Sequence, residues 1–343
     1  MKKIFALLLL IIMAFALVSC AGSGQDDGTA ANNGGSSQTE TARPAQSSEP
    51  EAASEAPAAS GSERIIGMSF TPPEEYEKAN ITVFESTDGK TSNKDITYDF
   101  ENGCKLTYAF ESGLTVDDLL EQTGSDKSKY QSEQFGGETF LIKNKPGTNS
   151  AMALTERDGG VYLIQYNLYG IKGGDLENAP REPFDVALQS VAFADPSDEP
   201  TVDAEIYDLK YSTEGLAPVV AWKIGVTETK DGDPVYKYIR WDFGTDIEKP
   251  EYRFIVRAYR NTTIEEQYSD SKYNEEKEIN GITYSVVPTY DENKAPYEYY
   301  IQHGSDVYYI KNIEMKDEDG KSVRSEESEK AFEKLLESFS FTK

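Results

Sequence analysis

The sequence has very few of the residues that most often carry chemistry. Its 343 residues include one histidine, His303, and two cysteines, Cys20 and Cys104. A single histidine that precedes a turn glycine excludes a multi-histidine metal site and argues against histidine-based acid–base catalysis. The sequence has no Gly-x-Ser-x-Gly elbow, no phosphate-binding glycine loop and no zinc-type pairing. Catalysis by paired carboxylates stays open, because any such pair is hidden among 61 acidic residues.

Basic residues are also scarce. The chain has 34 lysines and arginines against 61 acidic residues, which gives a formal net charge of −27. Such a balance repels nucleic acid and anionic lipid headgroups, and it favours solubility. We therefore expect no nucleic-acid partner.

Long apolar runs are confined to the first residues. A basic start, Lys2 and Lys3, leads into the apolar run Ile4–Val18, which Ser19 and Cys20 close. The run has 15 residues, whereas a helix that spans a bilayer needs about 20. A basic start, a short apolar middle and small residues at the end are typical of a removable signal. The alternative is an uncleaved anchor helix.

The residues Leu17-Val18-Ser19-Cys20 resemble the lipobox of a bacterial lipoprotein signal peptide. The resemblance implies that residues 1–19 are removed and that Cys20 carries a diacylglycerol. Two or more acyl chains give stable membrane attachment, since each buried methylene contributes about 0.8 kcal/mol. The membrane would then be the first partner, reached from outside the cytoplasm. Cys104 would be left without a second free cysteine, so we expect it to be a small buried hydrophobe.

The next segment, up to residue 62, has almost no aliphatic or aromatic side chains. Gly, Ser, Ala, Gln, Glu, Thr and Pro dominate residues 21–62. Such a chain cannot bury enough apolar surface to offset its ordering entropy, so we predict a disordered tether. Its root-mean-square span would be roughly 35 Å. Residues 20–62 are therefore predicted to be a lipidated cysteine with its tether.

The remaining residues contain a weak internal repeat with spacings of 143 to 148 residues. The pattern around Lys105–Phe110 returns at Tyr252–Ala258, and Val161–Ile164 returns as Val307–Ile310. A period this long is the size of a whole domain. The repeat predicts two domains, 63–195 and 201–343, with a boundary in the Pro- and Asp-rich residues 195–200.

Each repeat combines alternating strands with few helices. Turn residues at 157–160 and 303–306 separate alternating runs, which predicts hairpins and a largely antiparallel sheet. Helices are predicted at Thr115–Gln122 and towards the end of each repeat, where 184–193 and 332–341 run into a short strand. The fold class is therefore α+β, with two tandem domains of sheet and packing helices.

The ends of this pattern carry a second resemblance. The segments Gly67–Tyr76, with its Pro-Pro pair, and Phe332–Phe341 are similar to the ends of the Mog1/PsbP-like sandwich found in small bacterial lipoproteins. The resemblance implies a tandem pair of such sandwiches. It also implies interaction and scaffolding roles, and it supplies no shared catalytic site.

Tyrosine is abundant, and its densest cluster supplies the candidate binding residues. They are Tyr297, Tyr299, Tyr300, Tyr308 and Tyr309. Adjacent strand residues point to opposite faces, so one tyrosine of each adjacent pair faces outward unless a helix covers that side. Exposed tyrosines can stack on sugars or anchor a partner protein. The alternative is that tyrosine simply suits half-buried strands.

Two acidic turns, 231–233 and 317–320, have oxygen ligands of the kind that calcium prefers. Neither has the distal bidentate glutamate of a full calcium loop, so we interpret them as β-turns and expect no metal or other cofactor. The sequence thus favours a non-enzymatic, envelope-anchored binding or scaffolding module for an envelope protein or wall glycan. A carboxylate-dependent envelope hydrolase and a small-solute-binding lipoprotein are the alternatives.

Overall fold

The computed structural model describes residues 63–168, 176, 180–194, 206–268, 275–287, 298–316 and 322–342. The predicted signal peptide, Cys20, the tether and the boundary segment 195–200 lie outside the described residues. No described helix is long and apolar enough to cross a membrane.

The described residues of the first half of the fold form ten strands and two helices. The strands are β1 (Glu63–Ile65), β2 (Met68–Phe70), β3 (Lys78–Ser86), β4 (Ser92–Asp99), β5 (Lys105–Ser112), β6 (Gln131–Phe135), β7 (Glu138–Lys143), β8 (Ser150–Arg157), β9 (Gly160–Asn167) and β10 (Ala192–Phe193). The helices are α1 (Val116–Gln122) and α2 (Glu182–Ser190), and a 3₁₀ turn lies at Lys127–Lys129.

The second half is built in the same order. Its strands are β11 (Leu209–Lys210), β12 (Val219–Thr229), β13 (Pro234–Phe243), β14 (Tyr252–Tyr259), β15 (Glu275–Ile279), β16 (Ile282–Val287), β17 (Glu298–His303), β18 (Asp306–Ile313), β19 (Met315–Lys316), β20 (Ser322–Val323) and β21 (Ser340–Phe341). Its helices are α3 (Ile264–Gln267) and α4 (Glu326–Glu337).

The helix starts follow from capping. Thr115 caps α1 and forms a capping box with Asp118, and Thr263 forms the same box with Glu266 at α3. These boxes lie 148 residues apart. The predicted helices at Thr115–Gln122 and before residues 193 and 341 are confirmed. In α4 the apolar stripe includes Phe332, as its spacing indicated.

The hairpins are confirmed as well. Strands β8 and β9 pair from Arg157 to Gly160 across the turn, and β17 and β18 pair from His303 to Asp306. Gly159 and Gly304 have φ values of 76° and 59°, a conformation that glycine adopts without steric cost. Both turns therefore anchor the same register in the two halves.

Fourteen strands form one antiparallel sheet. Its order is β15-β16-β17-β18-β14-β13-β12-β3-β4-β5-β9-β8-β7-β6. Read outward from the centre, each half contributes seven strands in an equivalent order. The antiparallel mainly-β architecture with few helices agrees with the predicted α+β class.

The two halves meet where β12 pairs with β3. Nine residue pairs join them, from Ala221↔Ser86 to Thr229↔Lys78. The Thr227 hydroxyl also donates to Asn80 Oδ1 at 2.8 Å. We predicted two tandem domains, whereas the described residues belong to one compact unit, Gly61–Lys343, and share one sheet. The predicted boundaries at 195 and 201 therefore separate two halves of that sheet.

Both hydrophobic cores lie on one face of this sheet, here called the helix face. In the first half α2 contributes Phe184 and Leu188 to a core that includes Tyr108 and Tyr162. In the second half α4 contributes Phe332 and Leu336 to the equivalent core. Because strand side chains alternate, the residues between these core positions form the other face.

Candidate functional site

The other face of the sheet, here called the charged face, carries a continuous row of side chains across ten strands. The strand register places one residue of each strand directly opposite a residue of the neighbouring strand. From the second half to the first, the row reads Tyr300, Tyr309, Arg257, Tyr238, Gly225, Thr82, Asp95, Ala109, Leu163 and Leu154. The row therefore crosses the junction of the two halves.

The two ends of the row occupy equivalent positions in the two halves. Tyr300 lies three residues before His303 at its hairpin, just as Leu154 lies three residues before Arg157. Continuing inward, Tyr309 and Arg257 in the second half correspond to Leu163 and Ala109 in the first. The same backbone positions thus hold aliphatic side chains in one half, and tyrosine and arginine in the other.

Six tyrosines gather on the charged face of the second half. The shortest spacings between ring centroids are 4.5 Å for Tyr268–Tyr300, 4.8 Å for Tyr236–Tyr259 and 5.1 Å for Tyr300–Tyr309. Tyr238 lies 5.8 Å from Tyr236 and completes the set, here called the tyrosine cluster. The spacings are those of aromatic pairs that attract one another.

Gly225 makes room for one of these rings. A Cβ atom at Gly225 would lie 2.0 Å from Cε1 of Tyr238, so the ring lies over the glycine backbone. Burial raises the pKa of Tyr238 to about 12, so its hydroxyl keeps its proton at physiological pH.

Arg257 lies within the tyrosine cluster. Its guanidinium carbon is 5.3 Å from the centroid of the Tyr309 ring, a cation–π distance. Burial acts to lower the pKa of Arg257, but Tyr236, Tyr259 and Tyr309 outweigh it and raise that pKa. The group therefore remains charged.

The polar atoms of this cluster are incompletely satisfied. Arg257 Nε is buried and has no hydrogen-bond partner among the described residues, and the buried Tyr268 hydroxyl has Tyr259 as its polar neighbour. The arginines nearby on the same face share one carboxylate: Arg253 Nε donates to Asp242 Oδ1 at 2.6 Å, and Arg240 Nη2 donates to Asp242 Oδ2 at 3.2 Å. Arg257 thus differs from its neighbours in having no carboxylate contact in the described part of the chain.

The burial of the predicted tyrosines corrects one expectation. Tyr299, Tyr300, Tyr308 and Tyr309 are each no more than 5% exposed. Tyr299 and Tyr308 belong to the core beneath α4, whereas Tyr300 and Tyr309 contact Tyr268 on the charged face. Neither adjacent pair therefore has a member that faces solvent, because both sides of these strands are covered.

The fifth candidate, Tyr297, lies outside the described residues. Sequence reasoning also missed the half-buried members of the cluster. These are Tyr236, Tyr238, Arg257, Tyr259 and Tyr268. The alternation Tyr236-x-Tyr238 on one strand and Arg257-x-Tyr259 on another was the available signal.

A second group of charges lies at the junction of the halves. Asp95 faces Ala109, and Glu111 lies two residues further along β5, so the two carboxyls are diagonal neighbours on the charged face. Burial raises the pKa of each to about 7, although Lys223 opposes this in both cases. Burial in turn lowers the pKa of Lys223. These two carboxyls therefore change charge near neutral pH.

The single histidine, His303, and Cys104 both take part in packing. His303 stacks on Phe341, with ring centroids 3.9 Å apart. Cys104 is fully buried, as a small hydrophobe would be. Of the two acidic turns, 231–233 is exposed and 317–320 lies outside the described residues. Among the described residues, no three His, Cys, Asp or Glu side chains are placed to hold a metal ion.

Comparison with known proteins gives little to add to this geometry. No family model and no curated protein matches the chain. Three solved structures are similar over about three-quarters of it. They are MucB in complex with MucA(peri) (8% identity, 78% of this chain and 93% of that chain, TM-score 0.17), the MucA/MucB complex of Pseudomonas aeruginosa (9%, 77% and 93%, TM-score 0.17) and MucB alone (10%, 77% and 92%, TM-score 0.15). TM-scores this low do not define a shared fold.

Proposed function

We propose that this protein is a lipid-anchored envelope protein that binds its ligand on the charged face of its sheet. In this proposal residues 1–19 are removed, Cys20 is acylated, and residues 21–62 tether the folded part outside the cytoplasm. The folded part acts as a binding module, and each half of it is a Mog1/PsbP-like unit. The ligand is an envelope component, either a wall glycan or a protein.

The observation that carries the proposal is the convergence of six tyrosines and one arginine on one face. Tyr236, Tyr238, Tyr259 and Tyr268 are half-buried, so parts of their rings remain accessible. Tyrosine offers large contact area with few torsions to fix, and arginine and tyrosine are enriched in binding hot spots. The first half builds the same strands with Leu154, Leu163 and Ala109, so the fold itself does not require the aromatic set.

The binding proposal can be tested by capture from an envelope extract. The double variant Tyr236→Ser, Tyr259→Ser should retain its folded state and lose a component that the wild type captures. Tyr130→Ser is the matched control, because Tyr130 is a half-buried tyrosine in the first half. The centroid of its ring lies 6.0 Å from Lys143 Nζ, so it too has a basic neighbour. Equal capture by all three proteins would contradict the proposal.

The anchor is tested separately. Cys20→Ala should move the protein from the membrane fraction to the supernatant, because it removes the acylated side chain. Intact-mass measurement of the wild type should give a chain that begins at Cys20 with added acyl mass. An unmodified chain that begins at Met1 would contradict the anchor.

A carboxylate-dependent hydrolase is the second candidate, and the junction charges favour it. Diagonal neighbours on a sheet lie about 7–8 Å apart, and paired-carboxylate hydrolysis uses carboxyl groups separated by about 5–10 Å. Incubation with purified wall glycan should then release soluble fragments, and Asp95→Asn or Glu111→Gln should stop the release. The exposed Glu133 on β6 provides the control, Glu133→Gln. Absence of fragments from the wild type rejects this candidate.

A further inference from the structure

Comparing the two halves of the repeat shows which side chains this part of the charged face needs for packing. In the first half, the end of the row consists of Leu154, Leu163 and Ala109. Leu154 is fully buried there, and together with Val116 of α1 and Leu141 it lines a surface pocket. Aliphatic side chains are therefore sufficient for packing at this position beneath α1.

The second half places a charge and hydroxyl groups at the same positions. Tyr300, Tyr309 and Arg257 replace the aliphatic set, and Tyr268, which follows α3, covers them. Buried polar groups are costly unless they find partners. A guanidinium at Arg257 with no carboxylate contact among the described residues is therefore an arrangement that packing alone does not explain.

The charge around Arg257 is opposite in sign to that of the chain. Strands β13, β14, β17 and β18 place four basic residues and two acidic residues on the charged face. They are Arg240, Arg253, Arg257 and Lys311 against Asp242 and Glu298. This local excess of two positive charges lies within a chain of net charge −27. Arg240 and Arg253 share Asp242, and Lys311 pairs with Glu298. Within the described part of the chain, Arg257 is left without a carboxylate contact.

We propose that Arg257 and the tyrosine cluster bind an anionic group, a carboxylate or a phosphate, that is carried on a sugar ring. This inference rests on the proposed binding function and names the ligand class. The guanidinium donates charge-assisted hydrogen bonds to the anion, and the Tyr268 hydroxyl donates another. The half-buried rings of Tyr236 and Tyr259 each provide an apolar face on which a sugar ring can stack.

The experiment is calorimetric titration of the protein with three probes: glucuronate, glucose 6-phosphate and glucose. The wild type should bind one or both anionic sugars, and the neutral sugar at least about tenfold more weakly, since the neutral sugar cannot accept a charge-assisted hydrogen bond from the guanidinium. The carboxylate and phosphate arms identify which anion the site prefers. Arg257→Gln should lose about tenfold or more in affinity for the preferred anion, and Lys129→Gln, which removes a charge from an exposed position in the first half, should lose none.

A second variant keeps the test independent of unfolding. Arg257→Ala, Tyr300→Leu, Tyr309→Leu copies the first-half row into the second half, so it should fold and still fail to bind. Circular dichroism melting reports the fold. Unchanged affinity in Arg257→Gln, equal binding of glucose, or no binding of either anionic sugar would each overturn the inference. If the wild type still captures an envelope component in that last case, the ligand class is wrong and the binding function stands.

Discussion

The buried acid at the junction of the two halves makes the stability of the protein depend on pH. Glu111 is 7% exposed on β5, and its pKa is raised from the ordinary 4.5 to about 7. Burial is the main cause, the neighbouring Asp95 adds to it, and Lys223 opposes it. Because the folded state holds this proton more tightly than the unfolded state, the group stabilises the fold below about pH 4.5. That stability is lost as pH rises towards and through about 7.

The size of the effect follows from the pKa difference. Each pKa unit corresponds to 1.36 kcal/mol, so a rise from 4.5 to about 7 corresponds to about 3 kcal/mol at high pH. Glu111→Gln removes the ionisation and keeps the shape of the side chain. The free energy of unfolding of this variant should therefore exceed that of the wild type by up to about 3 kcal/mol at pH 8, and the gain should shrink towards pH 5.

Urea unfolding at a series of pH values, followed by tryptophan fluorescence, measures this difference. The exposed acid of β6 provides the matched control, and Glu133→Gln should reproduce the wild-type pH profile. Parallel pH profiles for Glu111→Gln and the wild type would refute the reasoning, because Glu111 would then ionise normally in the folded protein.

Three further predictions concern packing and charge, and each is checked by urea unfolding. Phe332→Ala in α4 should lower the free energy of unfolding by about 3–5 kcal/mol, since this side chain is 3% exposed in the second core. Exposed Glu333→Ala is its control. Gly225→Ala should cost about 1–3 kcal/mol, because the new Cβ displaces the ring of Tyr238, and no loss of stability would show that the ring does not lie there. Asp242→Asn should cost about 3–5 kcal/mol by leaving two arginines without their carboxylate; an unchanged midpoint would contradict that pairing.

Local patterns predicted the elements of this fold well. Alternation around 303–306 predicted the β17–β18 hairpin, and the spacing of Phe332 with its apolar neighbours predicted α4. Both depend on contacts within a few residues along the chain. The continuous sheet was missed, because the β12–β3 pairing joins residues more than 130 positions apart and leaves no local pattern.

The same limit explains the error at the tyrosines. The alternation correctly placed Tyr299 and Tyr300 on opposite faces, but exposure depends on what covers each face. Tyr268 follows a helix of only four residues and reaches Tyr300 from outside the strand pattern. Arg257 comes from β14, which is neighbour to β18 in the sheet and remote from it in sequence. The candidate site is therefore a product of sheet order, which the repeat indicated only in outline.

The claim that the charged face is the binding surface can be tested most directly by site-specific photocrosslinking in the cells that make this protein. A photoreactive phenylalanine analogue in place of Tyr259 lies beside Tyr236 and Tyr268 in the cluster, and the same analogue in place of Tyr130 lies in the first half. We predict a crosslinked envelope component from position 259 that is absent from position 130 and is lost with Arg257→Gln. The same products from both positions, or none from position 259, would contradict the account.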